Sequence, residues 1–150
     1  MAATDLSDDL LRAAARLSRW ASQSATFDIP HAQARLLALI DENGTMRIRA
    51  IAEADHTSQP TVTTQVQRME AAGWVCRRAD AADARASLVS LTPAGRAALA
   101  RIRAARAAVL DPVIAALQGP GRSRVRDAVA VMTELLDAAS AGPPGPRPTA

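Results

Sequence analysis

Apolar residues recur along most of this chain with a helical period. Leu6, Leu10, Ala14, Leu17 and Ala21 fall every three or four positions, which sets them on one face and predicts an amphipathic helix over residues 5–24. Asp5, Asp8 and Asp9 occupy its first turns, where the helix dipole favours anions. Phe27-Asp28-Ile29-Pro30 breaks the pattern. A second helix is predicted over residues 31–42, with Leu36, Leu37 and Ile40 facing inward. Asn43-Gly44 closes it, since both residues tolerate left-handed backbone. Residues 45–48 leave room for little beyond a lone strand. A short helix over residues 49–55 turns Ile51 inward, and His56-Thr57-Ser58 is a polar turn. Ser58 is a good N-cap, and Pro60 falls in the first turn of the next helix, where its missing N–H costs little. That helix spans residues 59–72 and stops at Gly73.

The period then changes. Residues 74–79 and 86–91 are β-type runs, joined by the polar and small stretch Asp80 to Arg85, so they predict a hairpin with a charged tip. Thr92-Pro93 supplies an N-cap followed by proline at the first helical position. A long helix extends to about Leu117, and Pro112 inside it should kink or split it. Residues 122–139 form a last helix with Val125, Val129, Met132 and Leu136 on one face. Residues 140–150, rich in proline and glycine, read as a disordered tail. The expected architecture is mainly α with a small β-hairpin wing. A winged helix-turn-helix occupies residues 31–106, and a helical dimerisation region is drawn from both termini, residues 5–25 and 107–139.

Composition agrees with a helical fold. The hydrophobic fraction is 49%, much of it alanine, and aromatics are only 2%, namely Trp20, Phe27 and Trp74. Alanine is the best helix former and fills a core poorly, so close helix contacts follow. All 18 basic residues are arginine. A GC-rich genome accounts for that without function, while arginine also suits bidentate phosphate and guanine contacts. The net charge of +3 is uneven: residues 44–106 hold ten arginines against five acids. The middle of the chain is therefore the candidate anion-binding surface.

The helix over residues 59–72 buries one stripe, Val62, Val66 and Met69. Pro60, Thr64, Gln67 and Ala71 project to the opposite side, with Thr61, Thr63 and Arg68 on the flanks. Glutamine can pair with adenine, arginine with guanine, and threonine or alanine with the thymine methyl. The helix N-terminus, from Ser58 and Gln59, adds N–H groups toward phosphate. Arg77 and Arg78 lie on opposite faces of the first hairpin strand. Arg85 sits at the tip, where a narrow minor groove concentrates negative potential. Asp83 is placed to hold Arg85 by a charge-assisted hydrogen bond. The candidate double-stranded DNA contacts are thus Ser58, Gln59, Pro60, Thr61, Thr63, Thr64, Gln67, Arg68, Arg77, Arg78, Asp83 and Arg85.

Thr61-Val62-Thr63, Arg68-Met69-Glu70, Gly73-Trp74-Val75, Arg77, Asp83-Ala84-Arg85 and Leu91-Thr92-Pro93-Ala94-Gly95 together resemble the signature of the multiple antibiotic resistance regulator (MarR) family. The resemblance covers residues 6–139. It implies a homodimeric transcription regulator, usually a repressor, released by a small aromatic, phenolic or lipophilic effector or by oxidation. Thr63, Thr64 and Arg68 match recognition-helix positions, Arg85 the wing-tip arginine and Asp83 its acidic neighbour. The position between the last two is often basic in the family and is Ala84 here, so the wing leans more on Arg77 and Arg78.

A dimer is also expected from the residues themselves. Ile102, Ala105, Val109, Val113 and Leu117 form one row, and a single winged module does not cover the apolar faces of the first and last two helices. A pair would set two recognition helices roughly 34 Å apart on an inverted-repeat operator. A monomer whose long helix folds back is the plainer alternative. By the resemblance, the effector sits near Trp20, Ser24, Phe27, His31 and Arg35. Trp20 and Phe27 also read as core, and His31 as a surface residue or cap.

Cys76 is the one cysteine, which excludes an intrachain disulfide and a cysteine-based zinc site. It is expected to share a face with Trp74 as a half-buried small hydrophobe, although Arg77 and Arg78 beside it invite a thiolate-sensor reading. No metal site, cofactor, catalytic Ser/His/Asp or Cys/His set, paired carboxylates or phosphate loop is visible, so an enzyme is not expected. The acidic N-terminus is wrong for a signal peptide, and no apolar run reaches the roughly 18–20 residues that span a bilayer. A cytoplasmic protein without membrane contact is the expectation. A winged-helix module that binds protein rather than DNA is the alternative function, against which the outward Thr64, Gln67 and Arg68 argue.

Overall fold

The computed structural model describes residues 3–83 and 85–141. The elements run α1 (Ala3–Ser24), α2 (His31–Asn43), β1 (Met46–Arg47), α3 (Ile48–Ala54), α4 (Gln59–Ala71), β2 (Val75–Ala79), β3 (Ser87–Leu91), α5 (Pro93–Ala115) and α6 (Gly121–Ser140). The chain divides into two compact units, Met1–Ala108 and Val109–Ala150, and α5 runs through the division. Among the described residues no helix is long and apolar enough to cross a membrane.

The first unit is built on the stripes that the apolar spacing picks out. Leu36, Leu37 and Ile40 of α2, Ile51 of α3 and Val62, Val66 and Met69 of α4 are each at most 1% exposed. They close on Val75 and Val89 of the sheet and on Leu99 and Ile102 of α5. Each such burial stabilises by roughly 1.5–3 kcal/mol. The one buried polar residue among those described, Gln33, donates from Nε2 to Gln65 Oε1 at 3.2 Å, tying α2 to α4. Asp41 of α2 meets Arg103 of α5 at 3.0 Å.

Residues 45–48 do not make a lone strand. Met46 and Arg47 pair antiparallel with β3, opposite Val89 and Leu88, so the sheet has three strands in the order β1-β3-β2. The hairpin offers β3 an unpaired edge, and β1 covers it. In α1 the expected stripe is mostly uncovered: Ala21 is buried, Leu10 and Ala14 are half-buried, and Leu6 and Leu17 are exposed.

Pro112 does not split α5. The helix continues three residues past it, and Ala116 N–H still donates to the Pro112 carbonyl at 3.1 Å. In the second unit Gly121 lies against Leu117, where an added Cβ would meet the leucine Cβ at 2.4 Å. Val129, Val131, Met132, Leu135 and Leu136 of α6 are all exposed, from 37% to 68%. Of the expected tail, Ser140 still belongs to α6, with its Oγ donating to the Leu136 carbonyl at 2.8 Å, and Ala141 is the C-cap. Residues 142–150 lie outside the described residues, as does Ala84.

Candidate nucleic-acid interface

Three short devices fix α4. Ser58 caps its start, accepting the Thr61 N–H on Oγ at 3.3 Å and meeting Thr61 Oγ1 at 2.7 Å. Pro60 sits in the first turn, and Gly73 ends the run at φ 75°. These polar groups are therefore partly engaged in holding the helix. Thr63 and Thr64 donate their hydroxyl hydrogens to the Gln59 and Pro60 carbonyls, at 2.9 and 3.1 Å. Their oxygens keep acceptor capacity and their methyl groups remain for apolar contact. Gln59, Pro60, Thr61, Thr64, Gln67, Arg68 and Ala71 are exposed, opposite the buried Val62, Val66 and Met69.

The wing is joined to this helix. Arg77 shares the sheet face of Val89, its register partner, and its Nε donates to Glu70 Oε2 of α4 at 2.7 Å. It acts as a brace between α4 and the hairpin, whereas Arg78, on the other face, is exposed and pairs with no described carboxylate. Among the described residues Arg68, Arg78 and Arg85 pair with no carboxylate. Free guanidinium groups are what a polyanion requires.

The hairpin base is tied at one residue. Thr92 donates its hydroxyl to the Gly73 carbonyl at 2.6 Å and accepts the Gly95 N–H at 3.0 Å, while its own N–H donates to the Trp74 carbonyl at 3.0 Å. Gly95 is needed there, because a Cβ would stand 2.0 Å from that carbonyl oxygen. At the tip, Asp83 does not act on the Arg85 guanidinium as expected. Its Oδ1 accepts the Arg85 backbone N–H at 3.0 Å, shaping the turn and leaving the side chain free. Asp80 accepts the Ala82 N–H at 2.9 Å and Arg47 Nε at 2.7 Å, and these two bonds, in that order, hold its carboxyl below the usual value. Arg47 thus clamps β1 to the wing, a role that sequence reasoning missed. The pair lies 33 residues apart, and no local spacing announces it.

Cys76 is not half-buried. It is exposed on β2, with Sγ 3.2 Å from Ser90 Oγ on the neighbouring strand. Among the described residues no three His, Cys, Asp or Glu side chains gather as a metal site.

The five expected effector residues are divided. His31 and Arg35 line a cavity of about 440 Å³ with Ser18, Arg19, Ser22, Gln23, Ala38 and Arg106. Phe27 lines another, of about 370 Å³, with Trp74, Arg101 and Ile102. Trp20 and Ser24 are exposed and line neither. The two cavities adjoin through the Phe27 and His31 rings, which meet edge to face at 5.3 Å. Arg106 Cζ stands 5.8 Å from the Phe27 centroid, and its buried Nε has no hydrogen-bond partner. Arg35 grips Asp55 with Nε on one carboxylate oxygen and Nη2 on the other, the latter at 3.0 Å. That hydrogen bonding is the main reason its affinity for the proton is raised.

Residues 29–87 match the family model described as MarR family. A search among curated proteins finds no significant match. Solved structures of the same fold include a transcriptional regulator protein from Pseudomonas aeruginosa, 24% identical, with a TM-score of 0.75 over 89% of this chain and 94% of that one. A MepR variant from S. aureus bound to an oligodeoxyribonucleotide is 19% identical, with a TM-score of 0.61 over 87% and 97%. BpsR from Bordetella bronchiseptica, whose DNA binding is regulated by 6-hydroxynicotinic acid, is 24% identical, with a TM-score of 0.55 over 86% and 98%.

Proposed function

From the match of residues 29–87 to the MarR family model, we propose a sequence-specific, DNA-binding transcription regulator that works as a homodimeric repressor released by a small molecule. The observation that carries the proposal is the pairing of α4 with the wing. Glu70 and Arg77 lock the two together, while Arg68, Arg78 and Arg85 stay unpaired. Recognition by base edges falls to Thr64, Gln67 and Arg68, and phosphate or minor-groove contact to Arg78 and Arg85. The DNA-bound relative from S. aureus supports the same use of this fold.

The homodimer rests on uncovered apolar surface. Leu6, Leu11 and Leu17 of α1 and the α6 stripe through Leu136 are exposed. Exposed apolar patches of more than a few hundred Å² mark interaction sites. A symmetric pair presents α4 twice and calls for an inverted repeat. The effector is assigned to the cavity of His31, Arg35 and Arg106. All its charged lining groups are cationic and it adjoins an aromatic pair, so an aromatic anion fits it. The B. bronchiseptica relative supports regulation by such a compound.

The test is a mobility shift on the DNA upstream of the protein's own gene, over a range of salt. Specific retardation, with log affinity falling linearly with log salt, is expected from counterion release. A salt-independent interaction, or none with this DNA, overturns the reading and favours a protein partner.

A further inference from the structure

We infer that Arg35 is the positioning residue that couples the cavity to the recognition helix, by holding Asp55 until an anion draws it away; this rests on the effector site proposed above. The two partners are unequal. The Asp55 side chain is 3% exposed, whereas that of Arg35 is 59% exposed and lines the cavity. A buried carboxylate depends on its cation, because an unpaired charge out of water is costly. Arg35 has no such dependence: its remaining donors are open to the cavity. The cavity also holds a donor in want of an acceptor: the buried Nε of Arg106 has no hydrogen-bond partner, although Ser18, Ser22 and Gln23 share the lining. A carboxylate that enters satisfies Arg106 and competes with Asp55 for the Arg35 fork.

Asp55 stands at the turn that aims α4. It is the C-cap of α3, and its N–H donates to the Ile51 carbonyl at 2.9 Å. Next comes His56 at φ 51°, in the left-handed region, followed by Thr57 and the α4 cap Ser58. A non-glycine residue keeps such backbone only while its surroundings hold it. An Asp55 without its cation turns toward water, the constraint on His56 relaxes, and α4 loses its aim. The bidentate pair is thus a latch, and anion binding opposes DNA binding through it.

Benzoate, with benzamide as neutral control, serves as the probe. Calorimetry reads its binding to the full chain, and mobility shift reads affinity for the upstream DNA. Saturating benzoate is expected to weaken parent DNA binding about tenfold, within the usual range of such coupling, and benzamide to leave it unchanged. D55N removes the buried charge, so it should bind benzoate and DNA, with DNA affinity no longer answering to benzoate. R35Q strands the charge, so without benzoate it should bind DNA as weakly as the benzoate-saturated parent. Adding D55N to R35Q should restore that affinity, a recovery that lost packing at Arg35 does not give. A D55N protein released by benzoate like the parent, or an R35Q protein with full affinity and full response, overturns the inference and leaves the cavity reading standing. If D55N does not fold, R35Q alone decides between these outcomes. Failure of benzoate to bind the parent sinks the cavity reading and this inference together, with the DNA reading intact.

Discussion

Arg85 and Arg77 show how differently two arginines of one hairpin are used. Arg85 is exposed and its backbone is pinned by Asp83, while Arg77 is engaged with Glu70. Arg85→Ala and Arg68→Ala are each expected to weaken operator binding by about 1–3 kcal/mol, measured by titration at fixed salt. Arg77→Ala should act chiefly by loosening the wing, so its DNA affinity should fall together with its melting temperature. Parent-like affinity for both Arg85→Ala and Arg68→Ala would remove the assigned face. Asp80 gives a pH dependence. Its carboxyl is held below its usual value, first by the Ala82 N–H and then by Arg47, so it is a stronger acid folded than unfolded. Its contribution is complete above the unfolded value of about 3.9 and is lost as pH falls through the lower folded one. Asp80→Asn should therefore be less stable than the parent at neutral pH. The two chemical-denaturation curves should converge in acid, and a difference that persists at low pH would contradict this account.

At the scale of elements, the base of the wing is the tightest joint. Gly95, in the first turn of α5, lies directly against the Trp74 carbonyl. Gly95→Ala forces backbone to move and is expected to cost about 1–3 kcal/mol, as overpacking usually does, seen as a lower melting temperature. Most of these elements were legible in the sequence. The stripe Val62, Val66, Met69 and the cap Ser58 depend on residues three or four apart, so local spacing carries them. What escaped depends on distant partners. Whether Met46 and Arg47 stand alone follows from their pairing with β3, some forty residues on. The burial of Cys76 follows from what covers β2, and beyond Val75 that strand is exposed. Pro112 reads as a break by local rules, yet a helix that forfeits one bond can still continue. The site followed the same division. The outward face of α4 was visible, whereas the clamps Arg47–Asp80 and Arg35–Asp55 join charges that have many possible partners along the chain.

For the molecule as a whole, the buried cluster lies between Ile29 and Ile102, while the large exposed apolar side chains lie on α1, on α6 and at Val113 and Leu117 of the α5–α6 stretch. Substituting Val129 and Leu136 together by glutamate should yield a monomer by sedimentation and abolish tight operator binding, because each half-site alone contributes only part of the affinity. A variant that remains dimeric would place the interface elsewhere. The two indoles stand in contrasting surroundings: Trp20 on the bare face of α1 is 40% exposed, and Trp74 at the wing base is half-buried. With no tyrosine in the chain, intrinsic emission comes from these two alone. Covering α1 should blue-shift the Trp20 signal, and strain at the hairpin root should alter that of Trp74. Single Trp→Phe versions therefore turn the unlabelled protein into its own two-channel optical reporter, one channel for assembly and one for the reading head.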